Sequence, residues 1–415
     1  MAEEFSGFYK LPIEERVGRV KKAALLTDAE AALLKKEGGL PIETANRMAE
    51  NLVGTMPLPL GVAVNFKING KERIIPMATE EPSVIAACSY AAKLALPEGF
   101  VASADEPVMI GQIQLVQVPD CEGAAKKIAA KKSELVKEAN SPDAPLVKHG
   151  GGMRDLDAKV LSTPRGKMLI IYIYVDTRDA MGANAVNTFA ESIAPKLEQI
   201  SGGKVRLRIL SNLATKRMAR AKAVWKKEAI GPDVVEGILD AYEFALADQY
   251  RATTNNKGAM NGIDALMVAT GNDWRAIEAG AHSYAAITGK YLPLANYSKD
   301  KNGNLVGEIE LPMAVGTIGG ATKSHPVAQI SLKILGNPNA KELAGIAASV
   351  GLAQNFAALR ALASEGIQRG HMELHSRNIA VLAGATGTEI DRVAEIMAKE
   401  GKVSVQRATE LLHKK

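Results

Sequence analysis

The sequence predicts an α+β protein: a large, alanine-rich helical part interrupted by a smaller α+β unit at about residues 108–218. Three observations predict it. Long stretches on either side of that window carry apolar residues at helical spacing. Inside it the pattern changes to strand, helix, strand, helix, strand. At 415 residues the chain is also too long for one simple core, so two or three domains are expected.

Taken in order, residues 13–37 read as one helix with Leu25, Leu26 and Ala29 on its apolar face, broken at KEGGLP. Residues 42–52 read as a short helix ending at Gly54. GVAVNFKINGKERIIPM alternates with period two around Asn69-Gly70, the signature of a hairpin. In TEEPSVIAACSYAAKLA, Pro82 suits a first helical position, with Glu80 and Glu81 placed to complement the helix dipole. MIGQIQLVQV then reads as a strand, residues 122–139 as a basic helix, KMLIIYIYVD as a buried strand, 183–200 as a helix and KVRLRILSNL as a strand. Beyond residue 234 come long helices broken by loops at TTNNKGAMNG, YSKDKNGN and GTIGGATKSHP. LPLANY and VGEIELPM flank the second loop as a hairpin, residues 340–368 are mostly helical, and short helices follow at 389–399 and 404–412.

Hydrophobic content of 47% and charged content of 23% describe an ordinary globular chain. A net charge of +5 is small for this length and leaves no nucleic-acid footprint. Only Cys88 and Cys121 occur, neither in a CxxC pair, which predicts a reducing, cytoplasmic setting. The longest purely apolar run, MLIIYIYV, is too short to span a bilayer, and MAEEFSGFYKLP lacks a signal pattern, so no membrane is expected.

GxGxxG, GxxxxGK[ST], HExxH and GxSxG are all absent. DAMGANAVNTF follows a strand and opens a helix, a pattern that fits both a pyrophosphate cradle and an ordinary turn. GTIGGATKSHP is a second glycine-rich loop, with Lys323 and His325 in it. Lys257 lies in a polar, glycine-containing stretch, and Asp273 precedes Trp274 as helix caps do. His371 and His375 share a helical face, but a third metal ligand is missing, so no metal site is expected.

Together ENLVG (50–54), TEEPSVIAA (79–87), DAMGANAVNT, RLRILSNLA, NKGAMNGID, ATGNDWRA, IGGATK (318–323) and RGHMELHSRNIA (369–380) resemble, in order, the 3-hydroxy-3-methylglutaryl-coenzyme A reductases of the soluble class II form. The resemblance implies reduction of the hydroxymethylglutaryl-coenzyme A thioester to mevalonate and free coenzyme A by two hydride transfers, or the reverse. It implies four catalytic residues. Lys257 is the cation facing the carbonyl oxygen, Glu81 its proton donor, His371 the donor to the departing thiolate, and Asp273 the residue tuning the first two. A donor must hold a proton beside Lys257, which calls for exclusion of water around Glu81 and an opposing charge from Asp273.

By the same resemblance Ser83, Arg251 and Asn261 hold the hydroxymethylglutaryl end, Asn355 lies near the thioester or coenzyme A, and Lys10 meets a coenzyme A phosphate where the family can carry Arg. Asp179, Met181, Gly182, Asn184, Asn187, Gly319 and Gly320 match dinucleotide-binding positions. Asp143 matches the acid that accepts from the adenosine ribose 2′-hydroxyl, favouring NAD over NADP; the lysines of KKIAAKKSELVK argue weakly the other way. The implied layout is residues 1–107 and 219–367 as a substrate and dimerisation domain, 108–218 as a ferredoxin-like, non-Rossmann dinucleotide domain, and 368–415 as a C-terminal helical flap. A homodimer with an interface active site is implied too. The rival classes are a coenzyme A acyltransferase, which needs no DAMGAN loop, and a non-catalytic binder, for which Glu81, Lys257, Asp273 and His371 need not all persist.

Overall fold

The computed structural model describes residues 5–36, 39–141, 145–364 and 376–413. The described residues form two sheets, of six and four strands, among many helices. The first sheet opens with the hairpin of β1 (Leu60–Ile68) and β2 (Lys71–Ala78). Asn69 and Gly70 both take positive φ, 49° and 78°, as a two-residue turn between twisted strands requires. β3 (Phe100–Ala104) lies parallel to β1. The chain then leaves to build the second sheet from β4 (Val108–Val116), β5 (Gly152–Thr163), β6 (Gly166–Asp176) and β7 (Lys204–Ser211), ordered β5-β6-β4-β7 and antiparallel throughout. It returns to the first sheet as β8 (Met218–Trp225), with β9 (Ala295–Lys299) and β10 (Leu305–Pro312) completing the order β2-β1-β3-β8-β10-β9.

The second sheet holds one strand more than the sequence pattern predicts. β5 carries Arg154, Asp155, Asp157 and Lys159 on a partly exposed face, and these charges hide its alternation. Two expected helices are each divided: 13–37 into Ile13–Ala23 and Asp28–Lys35, where Leu25 turns left-handed at φ 53°, and 122–139 into Cys121–Ala130 and Lys132–Ala139.

The core sits on the helix Ala340–Ala363, which packs against β3, β8, β10 and the helices Val84–Leu94 and Gln249–Ala269. This helix alone among the described residues is long and apolar enough to cross a membrane, and most of it is buried inside the protein. Trp225 stacks on its Phe356 with ring centroids 3.9 Å apart and donates to Ala91 O at 3.1 Å. Gly351 leaves room for the side chains of Ile263 and Ile309, which a Cβ there would meet. Residues 376–413 gather Ala380, Val393, Met397 and Leu411 into a small core of their own.

Candidate active site

Glu81 arrives on a turn. The helix expected from Pro82 begins instead at Val84, with Ser83 at its N-cap in the left-handed region at φ 75°. Thr79 Oγ1 accepts from the Glu81 N–H at 3.1 Å, so the chain bends before the helix and the acids stand ahead of its first turn.

Lys257 lies mid-helix, in Gln249–Ala269, not in the loop that TTNNKGAMNG suggests. Gly, Asn and Thr are poor helix formers, and tertiary contacts override them here. Asn256 is fully buried; its amide donates to Leu292 O at 2.9 Å and accepts from Leu294 N–H at 2.8 Å. At Gly262 a Cβ would stand 2.9 Å from Gln354 Cβ, so the glycine is what lets the two helices close.

The Lys257 ammonium thereby meets the Glu81 carboxylate at 3.1 and 3.4 Å, across 176 residues of sequence. Their side chains remain 58% and 39% exposed, so the pair adds little to stability. It faces an open surface, where a substrate or a second surface can cover it.

Asp273 is brought less close. Among the described residues Lys257 pairs with Glu81 and not with Asp273, whose Oδ1 caps the helix Trp274–Ala285 by accepting from Ala276 N–H at 3.0 Å. Arg275 lies 4.0 Å away. Both readings of Asp273 therefore survive, since a cap can also face a site. His371, like Asp143, lies outside the described residues.

Arg251 stands on the Lys257 helix. Its Nε is buried without an acceptor, no carboxylate pairs with it among the described residues, and burial lowers its pKa. An anionic ligand group is what such a guanidinium lacks. Asn261 is half-buried on the same helix, one turn beyond Lys257. Asn355 is fully engaged inside the core: it donates to Asn255 O at 2.7 Å and accepts from Tyr297 Oη at 2.9 Å. It braces the Lys257 helix from behind. Lys10 is exposed over the Tyr9 ring at 5.7 Å, at the N-terminal edge of the fold.

The two glycine-rich stretches, separate in sequence, form one structure. Ala180 bridges Ile318, and Thr317 N–H donates to Asp179 O at 2.9 Å. Arg217, 4% exposed, ties them from below, donating to Thr177 Oγ1, Ala180 O and Met181 O at 3.0–3.1 Å and also to Val315 O. Burial presses its pKa down to about 10, so it stays charged at neutral pH. Asn272, beside Asp273, accepts from Gly316 N–H at 2.8 Å, which brings the Asp273 turn to the same place. Sequence reasoning missed Arg217 and Asn272. Nothing marks an arginine in KRMARAK as buried, and only the Asn272-Asp273 adjacency pointed there.

Gly182, at φ 103°, caps the helix Ala183–Ser201, and a Cβ on it would strike Thr177. Gly319 and Gly320, at φ 81° and 55°, have open space where a Cβ would go. A positive-φ glycine edge beside the N-terminus of a 19-residue helix fits a dinucleotide pyrophosphate. Asp179 and Asn187 have structural partners as well: Asp179 Oδ1 accepts from Ala340 N–H and Asn187 Oδ1 from Leu210 N–H, both at 2.9 Å. Asn184 is exposed at the helix start.

Residues 12–376 match the family model of hydroxymethylglutaryl-coenzyme A reductase. The chain belongs to that family. A reductase of this name from Archaeoglobus fulgidus is 58% identical over the whole chain and 95% of its own length. A probable one from Borreliella burgdorferi is 39% identical over 80% of the chain and 77% of its length. Among solved structures, the class II enzyme of Streptococcus pneumoniae, bound to NADPH in open conformations, is 43% identical with a TM-score of 0.83, covering 97% of this chain and 99% of that one. The mixed α+β architecture and the family expected from the sequence are both borne out.

Proposed function

We propose that Glu81 and Lys257 form the reacting centre at which this hydroxymethylglutaryl-coenzyme A reductase interconverts its thioester substrate with mevalonate and coenzyme A. The observation that carries the assignment is their 3.1 Å contact on an open surface. A nicotinamide dinucleotide supplies the hydride in each of the two reductions. As negative charge grows on the carbonyl oxygen, the Lys257 ammonium stabilises it without having to reorganise. Glu81 passes a proton to that oxygen. When the C–S bond of the hemithioacetal breaks, Glu81 takes back the hydroxyl proton as the C=O bond re-forms, and the thiolate takes a proton from His371 and leaves as the thiol. The aldehyde then meets the same cation and proton donor, and becomes the alcohol.

Arg251 suits the free carboxylate of the substrate, because its buried Nε is unmatched in the protein. Ser83 and Asn261 flank the pair, Asn355 holds the Lys257 helix in place, and Asp273 completes the charge pattern from the adjoining turn. Lys10 is assigned to a coenzyme A phosphate. Asp179, Met181, Gly182, Asn184, Asn187, Gly319 and Gly320 line the dinucleotide cradle. Asp143 selects NAD over NADP by repelling a 2′-phosphate.

The strand order β5-β6-β4-β7 of a βαββαβ chain is that of ferredoxin-like units and supports reading residues 108–218 as a dinucleotide domain between 1–107 and 219–367. Residues 368–415 are assigned to a flap over the site, of which 376–413 are among the described residues. Val53, Met56, Phe244 and Tyr250 are exposed apolar side chains, and they support a second copy of the chain covering the open pair as a homodimer. Free, buried Cys88 and Cys121 support a cytoplasmic setting.

The test is nicotinamide absorbance at 340 nm with mevalonate, coenzyme A and either NAD or NADP, repeated with Lys257→Met. Reduction with NAD, and loss of about a thousandfold in kcat in the variant, is expected. Activity mainly with NADP would discard Asp143 as selector. A Lys257→Met protein of near-normal rate would overturn the reacting centre.

A further inference from the structure

Behind the Glu81–Lys257 pair lies a chain of titratable groups with no place in the reaction as described. Asp264 is on the Lys257 helix, two turns beyond it, with Oδ1 buried and without a donor. It meets Glu278 on the helix that starts at Asp273. Glu278 Oε2 is 2.5 Å from His282 Nε2, and His282 Nδ1 is 2.6 Å from Tyr291 Oη. Tyr291 rides on the segment that Asn256, next to Lys257, grips at Leu292 and Leu294. The contacts close a ring: out from the Lys257 helix at Asn256, through Tyr291, His282 and Glu278, and back at Asp264.

We propose that this ring is a positioning device for the reaction, in which one proton shared by Asp264 and Glu278 clamps the helix starting at Asp273 onto the helix carrying Lys257. The assignment rests on the reading of Lys257 and Asp273 given above. Two carboxylates in contact repel when both are ionised, and neither is free to turn to water. With Asp264 protonated, Glu278 ionised and His282 charged, the ring is neutral and each contact is a hydrogen bond from donor to acceptor. Burial and then Glu278 raise the Asp264 pKa to about 9. His282 holds that of Glu278 down, and Glu278 holds that of His282 up.

Charges on the surrounding elements are engaged elsewhere. Glu310 of β10 binds Tyr284 and Arg220, Arg73 of β2 faces Glu342, Lys333 pairs with Glu30, Glu236 with Lys299, and Arg360 covers Tyr90. Because Asp264 binds its proton more tightly folded than unfolded, its contribution is full below the ordinary carboxyl range and is lost as pH rises through about 9.

The test uses the full chain and Asp264→Asn, which keeps a donor toward Glu278 but cannot ionise. The variant is expected to keep kcat within about threefold at pH 7, to lose the fall in kcat expected of the unaltered protein near pH 9, and to lose the share of the decline in melting temperature that Asp264 contributes between the ordinary carboxyl range and about pH 9. Asp264→Ala is expected to lower kcat at least about tenfold with substrate KM within about twofold. Superimposable rate and melting profiles for Asp264→Asn and the unaltered protein from pH 6 to 10 would overturn the proposal. Should Asp264→Ala not fold, Tyr291→Phe serves. Imidazole resonances in this six-histidine chain read His282 directly, and its titration must move in Tyr291→Phe. An unmoved midpoint also overturns the proposal. The melting and resonance measurements need no turnover, so an active Lys257→Met protein would refute the catalytic assignment and leave them readable.

Discussion

Gly316→Ala isolates the contact between the two glycine-rich loops. A Cβ at Gly316 would fall well inside 3.0 Å of Met181 N, with Ala180 C at 3.1 Å and Asp179 O at 3.2 Å. Ordinary carbon contacts begin near 3.5 Å, so the loops must part by at least about 0.5 Å. All three atoms are backbone, and no side chain can swing aside. Overpacking of this kind costs about 1–3 kcal/mol, or about 5- to 150-fold in an equilibrium constant. The cost can appear as lost stability or as lost affinity. Among the described residues, parting the loops breaks the Thr317–Asp179 hydrogen bond and the Ala180–Ile318 bridge, whereas Arg217 still binds both sides from below, so affinity absorbs most of it. The expected result is a dinucleotide Kd raised about tenfold, read by fluorescence titration of the reduced cofactor, with the Kd for hydroxymethylglutaryl-coenzyme A within about twofold. Gly18→Ala is the control: it is exposed inside the helix Ile13–Ala23 with nothing within 4 Å of the new Cβ, and should stabilise by up to about 1 kcal/mol. A folded Gly316→Ala protein with unchanged dinucleotide affinity would refute the placement of the cofactor at these loops.

Arg217→Lys keeps the charge but cannot reach four acceptors, so about 1–3 kcal/mol of stability and several-fold in dinucleotide affinity should be lost, measured by urea unfolding and the same titration. Arg251→Gln removes the guanidinium proposed for the substrate carboxylate; substrate KM should rise about a hundredfold in steady-state assays while the dinucleotide KM holds. Tyr297→Phe strips the hydroxyl from buried Asn355 Oδ1 and should cost about 1–3 kcal/mol in thermal unfolding, with a smaller effect on kcat.

Where local chemistry decided the structure, the sequence was readable. Asn69-Gly70 demanded its hairpin, whereas the alternation on either side did not foresee that Ile74 to Met77 would all be buried or that the register would shift between Ala63 and Phe66. YSKDKNGN likewise separates β9 from β10. The Lys257 helix was not readable, because its Thr, Asn and Gly residues are placed for contacts with Leu292, Leu294 and Gln354 that no local pattern reveals. The same holds for the site. Glu81 and Lys257 meet across 176 residues, and only the resemblance to a family linked them in advance. It did not foresee that Ser83 would start the helix left-handed, nor that the loops at Gly182 and Gly319 would be one structure held by a buried arginine.

β3 and β8 have a consequence for engineering the chain. They are the strands by which the chain leaves the first sheet and re-enters it, and they are direct neighbours, with Ala104 opposite Ala219 and Asp105 N–H bonded to Met218 O at 2.9 Å. The span between them is therefore inserted through one pair of neighbouring strands, with further ties to the rest of the chain at Asp179–Ala340, Asp179–Thr317 and Arg217–Val315. Replacing it by a two-residue hairpin turn would leave every register of the six-stranded sheet unchanged, and a foreign cassette whose ends lie one strand spacing apart, about 5 Å, would fit the same opening. The span proposed to handle the cofactor can thus be exchanged at one strand pair, provided that the contacts of Asp179 and Arg217 with residues 315–340 are rebuilt.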